Sequence, residues 1–154
     1  QGGALVGWVN FTGDSANAIA TNSTIAWFNE AGATTLYSGG FTGQGTPMAS
    51  LYDSTLSDLL SFSSGTVILS GGNLTDTITN TVTISGNTVF VDPSATNSLT
   101  LTIDRPTGEI LGTFVYPPNH TNFIDSVILQ NSTNAARGYF LGTSEGGAFL
   151  MFGN

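Results

Sequence analysis

The stretch "TITNTVTISGNTVFV", Thr77 to Val91, decides how this chain folds. Ile78, Val82 and Ile84 fall on one side of an alternating run, with Asn80 interrupting them. Thr79, Thr81, Thr83 and Ser85 occupy the other side. A period of two is the signature of a half-buried strand. Threonine suits the wet face, because its branched Cβ fits the pleat and its hydroxyl takes water. Gly86-Asn87 then stands at a two-residue hairpin, where glycine supplies the positive φ of the first central position. The stretch is two antiparallel strands.

The same grammar extends in both directions. In "SLTLTID", Ser98 to Asp104, Leu99, Leu101 and Ile103 oppose Thr100, Thr102 and Asp104. "DRPTGE" places Pro106 and Gly108 in a tight connection to "ILGTFVY". "TSEGG" joins the last two strands, and Pro117-Pro118 ends another, since neither can donate a ladder hydrogen bond. The glycine clusters "SGGFTGQG" (38–45) and "SGGN" (70–73) read as loops or bulges, without the strand, helix and Lys/Ser context of a phosphate cradle. "STLSDLLSF", 54–62, spaces Leu56, Leu59 and Leu60 for one short helix, but a strand and turn fit equally well. Turns every 8–12 residues or so imply a single all-β domain over 1–154. Its form is an antiparallel β-sandwich or flattened barrel of roughly nine to twelve short strands.

Composition narrows the function. The 154 residues carry ten acids against two bases, Arg105 and Arg137, for a net charge of −8. Two arginines cannot build a counterion-releasing patch, which excludes nucleic acid and a polybasic membrane contact. No run approaches the roughly 18 apolar residues of a membrane helix. Cysteine is absent, so neither a disulfide nor a thiolate metal site is available. Charged residues are only 8% while 40% are hydrophobic, so the core is affordable and the surface is hydroxyl, amide and backbone. Such a surface offers few tryptic sites and suits a protein outside the cell. Gln1 in place of Met fits a mature N-terminus left by signal cleavage.

No catalytic constellation emerges. His120 is the single histidine, in the proline-bounded "YPPNHTN", with no "GxSxG" elbow to supply a serine partner. No histidine pair exists for a metal. The nearest carboxyl couples are Asp53 with Asp58 and Asp104 with Glu109, and the latter flank a turn. Asp14, Asp53, Asp92 and Asp125 lack the dense spacing of a calcium loop. The expectation is a non-enzyme with no catalytic residue, cofactor or metal. Asn10, Asn22, Asn73, Asn119 and Asn131 fit the glycosylation tripeptide. With 13 Asn and 39 Ser or Thr in the chain, about three such matches arise by chance. Trp8, Trp27, Tyr37 and Tyr116 are candidates for a sugar-stacking platform, against the plainer role of core filling.

The two ends stand out. In "GGALVGWVNFT", Gly2 to Thr12, Leu5, Gly7, Val9 and Phe11 share one face, and Val6, Trp8 and Asn10 the other. In the final hairpin, "GYFLGTSEGGAFLMFG", Ala148, Leu150 and Phe152 oppose Phe149 and Met151. A strand apolar on both faces is central in a layered fold or covered by something extra. No lysine is present to guard an edge. The expected partner is another copy of the chain. Residues 1–12, through Leu5, Val6, Trp8, Val9 and Phe11, dock as a donor strand onto an edge or groove at Phe149, Leu150, Met151 and Phe152.

The C-terminal third resembles a recurring β module of large secreted and surface proteins of environmental bacteria. "TGEILGTFVYP", "FIDSVILQ" and "ARGYFLGTSEGGAFLM" carry the likeness, through Gly112, Phe114, Val127, Leu129, Gln130, Gly138, Tyr139, Phe140, Gly142 and Thr143. Ser126 stands where that pattern has Gly, and Arg137 where it has a small residue. "LYSGGFTG", Leu36 to Gly43, matches an upstream element more loosely. The resemblance spans roughly 50 residues and implies an extracellular all-β module without an active site. Together these readings point to a secreted structural protein, the repeating subunit of a surface filament or matrix fibre built by non-covalent strand addition. A carbohydrate-binding or adhesive module, taking glycans as partner, is the alternative.

Overall fold

The computed structural model describes residues 3–14, 18–32, 35–116 and 120–154. Among them are eleven strands: β1 (Gly3–Thr12), β2 (Ile19–Asn29), β3 (Phe41–Gly45), β4 (Ser64–Gly71), β5 (Ile78–Ser85), β6 (Thr88–Val91), β7 (Thr100–Asp104), β8 (Glu109–Val115), β9 (Thr121–Leu129), β10 (Ala135–Leu141) and β11 (Gly146–Gly153). No helix occurs among the described residues. The all-β expectation holds, in its barrel form.

Eight strands close on themselves in the order β10-β11-β4-β5-β6-β7-β8-β9, every neighbour antiparallel. Alternation does the sorting. Leu101 and Ile103 of β7 and Val82 of β5 turn inward and are buried, while the intervening threonines face water. Ser85 pairs with Thr88 around Gly86, whose φ is 58°, as the hairpin reading requires. Phe114 and Phe140 meet edge to face at 4.9 Å in the interior, beside buried Phe149, Ile110 and Met151.

Close wall-to-wall approach explains several glycines. A Cβ at Gly138 would collide with Asp125 and Ser126 of β9, and one at Gly112 with Thr100 and Leu101 of β7. Ser126 fits without strain because its hydroxyl donates to the Ile110 carbonyl, 2.7 Å away.

One mouth of the barrel is covered by residues 51–63. This is the "STLSDLLSF" stretch, and it is turns and bends rather than helix. Thr55 explains part of the choice: its N–H and hydroxyl both donate to the Asp53 carboxylate, an alternative to helical bonding. Leu59 and Leu60 are buried over the barrel core. Gln130 accepts from the Asp53 N–H and donates to the Asp53 and Leu59 carbonyls. Asn134 accepts from the Ser61 N–H and donates to its hydroxyl.

The remaining strands form a separate sheet, β1-β2-β3. "SGGFTGQG" is therefore only partly loop, since Phe41–Gly45 is an edge strand. The sheet is tied to the barrel through Tyr37 and the end of β2. Tyr37 donates its N–H to the Ser144 carbonyl and accepts the Gly146 N–H on its hydroxyl at 2.7 Å. Ile19 bridges Ser50.

Candidate assembly surface

The three-stranded sheet carries the most unusual surface of the molecule. All ten residues of β1 are exposed. Leu5, Val6, Trp8 and Phe11 keep 60–64% of their area in water, and Val9 keeps 42%. No charged residue stands in β1, β2 or β3. Among the described residues, strand β1 pairs only with β2, and β3 only with β2, so both outer edges present backbone groups without a strand partner.

Cross-strand partners share a face, which sorts the side chains. Leu5, Trp27 and Gly43 lie in one row, and Gly7, Ile25 and Gly45 in the next, with Phe41 beside Asn29. On that face Trp27 meets Phe41 edge-on at 4.8 Å, and Tyr37 tilts against Phe41 at the same distance. A shallow depression of about 320 Å³ runs over Ile25, Trp27, Tyr37, Phe41 and the two glycines. A Cβ at Gly43 or Gly45 would meet nothing within 4 Å, so the floor is flat and open. A second hollow of about 500 Å³ continues it past Leu5 and Leu36 to Leu141 of the barrel. The opposite face carries Ala4 with Phe28, Val6 with Ala26, and Trp8 with Thr24.

One irregularity pins this hairpin. Asn22 and Ser23 together oppose Val9, a bulge with Asn22 at φ 46°. Ser23 is buried there and accepts the Asn10 N–H at 2.9 Å, while Trp8 Nε1 and Asn10 Nδ2 both donate to the Asn22 carbonyl. The bulge fixes register in a strand pair that has no core to do so.

The C-terminal strand behaves differently. β11 is paired along its length with β10 on one side and β4 on the other, so it offers no edge to receive a donor. Phe149 and Met151 lie inside the barrel, 2% and 0% exposed; Leu150 and Phe152 are half-buried on the outside. The expected docking edge at Phe149–Phe152 is corrected accordingly. Eight strands from one chain already complete the barrel, and the apolar C-terminus is hidden by its own neighbours.

The other sequence candidates are dispersed. Trp8 and Trp27 sit on opposite faces of the small sheet, and Tyr116 lies on the barrel with its hydroxyl held by Thr75, so the three do not line up. His120 is exposed at the start of β9, its carbonyl taking the Tyr116 N–H. Asp104 and Glu109 face each other across the β7–β8 turn, both accepting from Thr107. Asp53 closes the turn with Thr55, whose bonds hold its carboxyl below the usual range. No group of three or more His, Cys, Asp or Glu gathers among the described residues.

Of the glycosylation tripeptides, Asn73 uses both ends of its amide. It donates to the Ser144 hydroxyl and accepts from Thr143, Ser144 and Glu145. Asn10 donates to Asn22, and Asn131 to the Leu51 carbonyl. Asn119 lies outside the described residues, as do Pro117 and Pro118. Among the described residues no helix is long and apolar enough to cross a membrane.

No protein-family model matches this chain, and comparisons with curated proteins and with solved structures return no match either.

Proposed function

We propose that this chain is a structural subunit that assembles with copies of itself outside the cell, using the β1-β2-β3 sheet as its connector. The observation that carries the reading is β1: ten exposed residues, uncharged, largely apolar, and unpaired along one edge. Soluble proteins guard such strands with lysine, proline or a covering element. Here the sole local device among the described residues is the bulge at Asn22, on the inner side of the strand.

Because the barrel is closed, strand addition has two partners to choose from among the described residues. Joining β1 to β1 of a second copy is self-complementary and stops at a dimer. Joining β1 to β3 of the next copy is head-to-tail and propagates into a filament. The unequal lengths of β1 and β3 leave half of β1 to overhang. In a filament this overhang continues in the plane of the next sheet, past the end of its β3. Extracellular placement fits the low charge and the cysteine-free, hydroxyl-rich surface.

Deleting residues 1–12, or placing Val6→Lys and Trp8→Lys together, is expected to leave monomers with an intact barrel, read by sedimentation and negative-stain microscopy. Fibres that persist in both variants would overturn the proposal.

A further inference from the structure

The barrel wall has one weak join. β6 and β7 share a single residue pair, Thr88 with Thr102, whereas each of the other seven seams carries at least four. Beyond that pair the strands separate, and residues 92–99 span the gap. Where this segment faces the start of β5 and the end of β8 lies a cleft of about 580 Å³, within the range of small-molecule sites. Thr79, Asn80 and Thr81 of β5 line it, with Asp92, Ser94 and Asn97 of the spanning segment and Tyr116 after β8.

Two of these side chains are buried with unmet hydrogen-bonding atoms. Asn80 is 6% and Asn97 8% exposed. Among the described residues, Asn80 Nδ2 and both amide atoms of Asn97 have no hydrogen-bond partner. Leaving such groups unsatisfied costs about 1–3 kcal/mol each. Asn97 is held by its backbone, whose carbonyl takes the Val115 N–H at 2.7 Å, so its side chain can turn into the cleft without breaking any bond. Ser94 and Thr96 of the spanning segment add hydroxyls to the lining, beside an aliphatic and aromatic wall of Ile78, Val115 and Tyr116, while Thr79 and Thr81 take the face of β5 opposite to Asn80. The Tyr116 ring is fixed by two hydrogen bonds between its hydroxyl and Thr75.

We infer that this cleft binds a neutral saccharide. Asn97 lacks both a donor and an acceptor and Asn80 an acceptor, a need matched by hydroxyls, which are both at once. The C–H face of a sugar ring suits the Ile78–Val115–Tyr116 wall. No Arg, Lys or His lines the cleft to hold an anion. The one carboxylate, Asp92, already accepts the Ser94 N–H and is pulled below its usual pKa by that bond. An apolar guest would leave the amides as they are.

The site is remote from the β1 edge in sequence and in element, so it stands or falls apart from self-assembly. The test is a nuclear magnetic resonance titration of the isotope-labelled full chain with cellotriose, maltotriose and chitotriose, with inorganic phosphate and glucuronate as charged controls. At least one neutral sugar is expected to shift the Asn80 and Asn97 side-chain amide signals to saturation. Asn97→Leu and Asn80→Leu are each expected to weaken that binding about tenfold, the loss of one or two hydrogen bonds. Asn80 stands in an inward row with Ile78, Val82 and Ile84, where leucine fits, so its variant decides the matter should Asn97→Leu not fold. Silence from all three sugars, a response to phosphate or glucuronate alone, or undiminished binding by Asn80→Leu would overturn the inference.

Discussion

Arg105 reaches from the β7–β8 turn to the segment that closes the barrel mouth, and its guanidinium gathers four oxygens. It donates to the carbonyls of Ser54, Leu56 and Ser57 and to the Asn87 side chain. An arginine used this way ties the chain to itself rather than meeting a ligand. Replacing it with alanine is expected to cost about 2 kcal/mol, by loss of charge-assisted bonds to partly buried carbonyls. A denaturant titration measures this, with the midpoint falling and the slope unchanged. Tyr52 lies against the same turn and donates to the Arg105 carbonyl. Burial, ahead of nearby charges, raises its pKa. The neutral form is the one the fold prefers, so its contribution is complete below the ordinary phenol range and lost as pH rises through the raised value. Asp53 has the opposite sign: its lowered pKa makes its contribution present above the ordinary carboxylate range and lost as pH falls through the lowered value. Melting temperature against pH is expected to fall at both extremes, and Tyr52→Phe is expected to remove part of the alkaline fall.

None of these ties was legible in the sequence, because Gln130 and Asp53 are 77 positions apart and nothing in either residue names the other. What could be read was local. Gly138 and Gly142 belong to the stretch that resembles a surface-protein module, and each is needed where a Cβ would strike a neighbour, strand β9 for Gly138 and the turn at Gly72 and Asn73 for Gly142. The misplacement of Asn80 in the "TITNTVTIS" pattern was legible too, as an amide among inward-facing aliphatics.

Among the elements, alternation predicted β5 and β7 well because each has one wet and one dry face. It failed where a strand has no polar face. β11 is apolar on both sides, a pattern that fits an exposed sticky ribbon or a strand hemmed in by two others, and the difference lies in the neighbours, not in the strand. β3 was missed since three residues, Thr42, Gly43 and Gln44, carry no apolar period at all. Its partner β2 makes it a strand by supplying the ladder. The short apolar stretch at 54–62 tempted a helix but found its burial in the barrel mouth without one. At this scale hydrogen exchange provides the check on the weak seam. Amides of β6 and β7 are expected to exchange well ahead of those in β4, β10 and β11, which are bonded on both flanks. Equal protection around the ring would contradict the single-pair join.

The whole molecule is a closed barrel carrying an open sheet, and the two differ in how they are held. The barrel has a core of its own; the sheet has two wet faces and a few ties at Tyr37 and Ile19. Three strands without a dry face are marginal by themselves. Residues 46–154 are therefore expected to fold alone, with a thermal midpoint close to that of the full chain by circular dichroism. Self-association is expected to strengthen with added salt, because a net charge of −8 repels like copies until it is screened. Light scattering across an ionic-strength series measures it. A decrease with salt would mean that ion pairs, rather than β1, hold the copies together.

The single join between β6 and β7 also says how the molecule yields under a load. A hoop riveted everywhere but at one place gives way at that place first, and it springs shut when the pull is released. Stretch applied across the wall concentrates there, widening the girth by a hinge-like parting while the other seven seams stay zipped. A fibre joined through β1 and β3 would carry its tension in the small sheets, leaving each hoop beside the line of pull and free to part at its seam without breaking the strand.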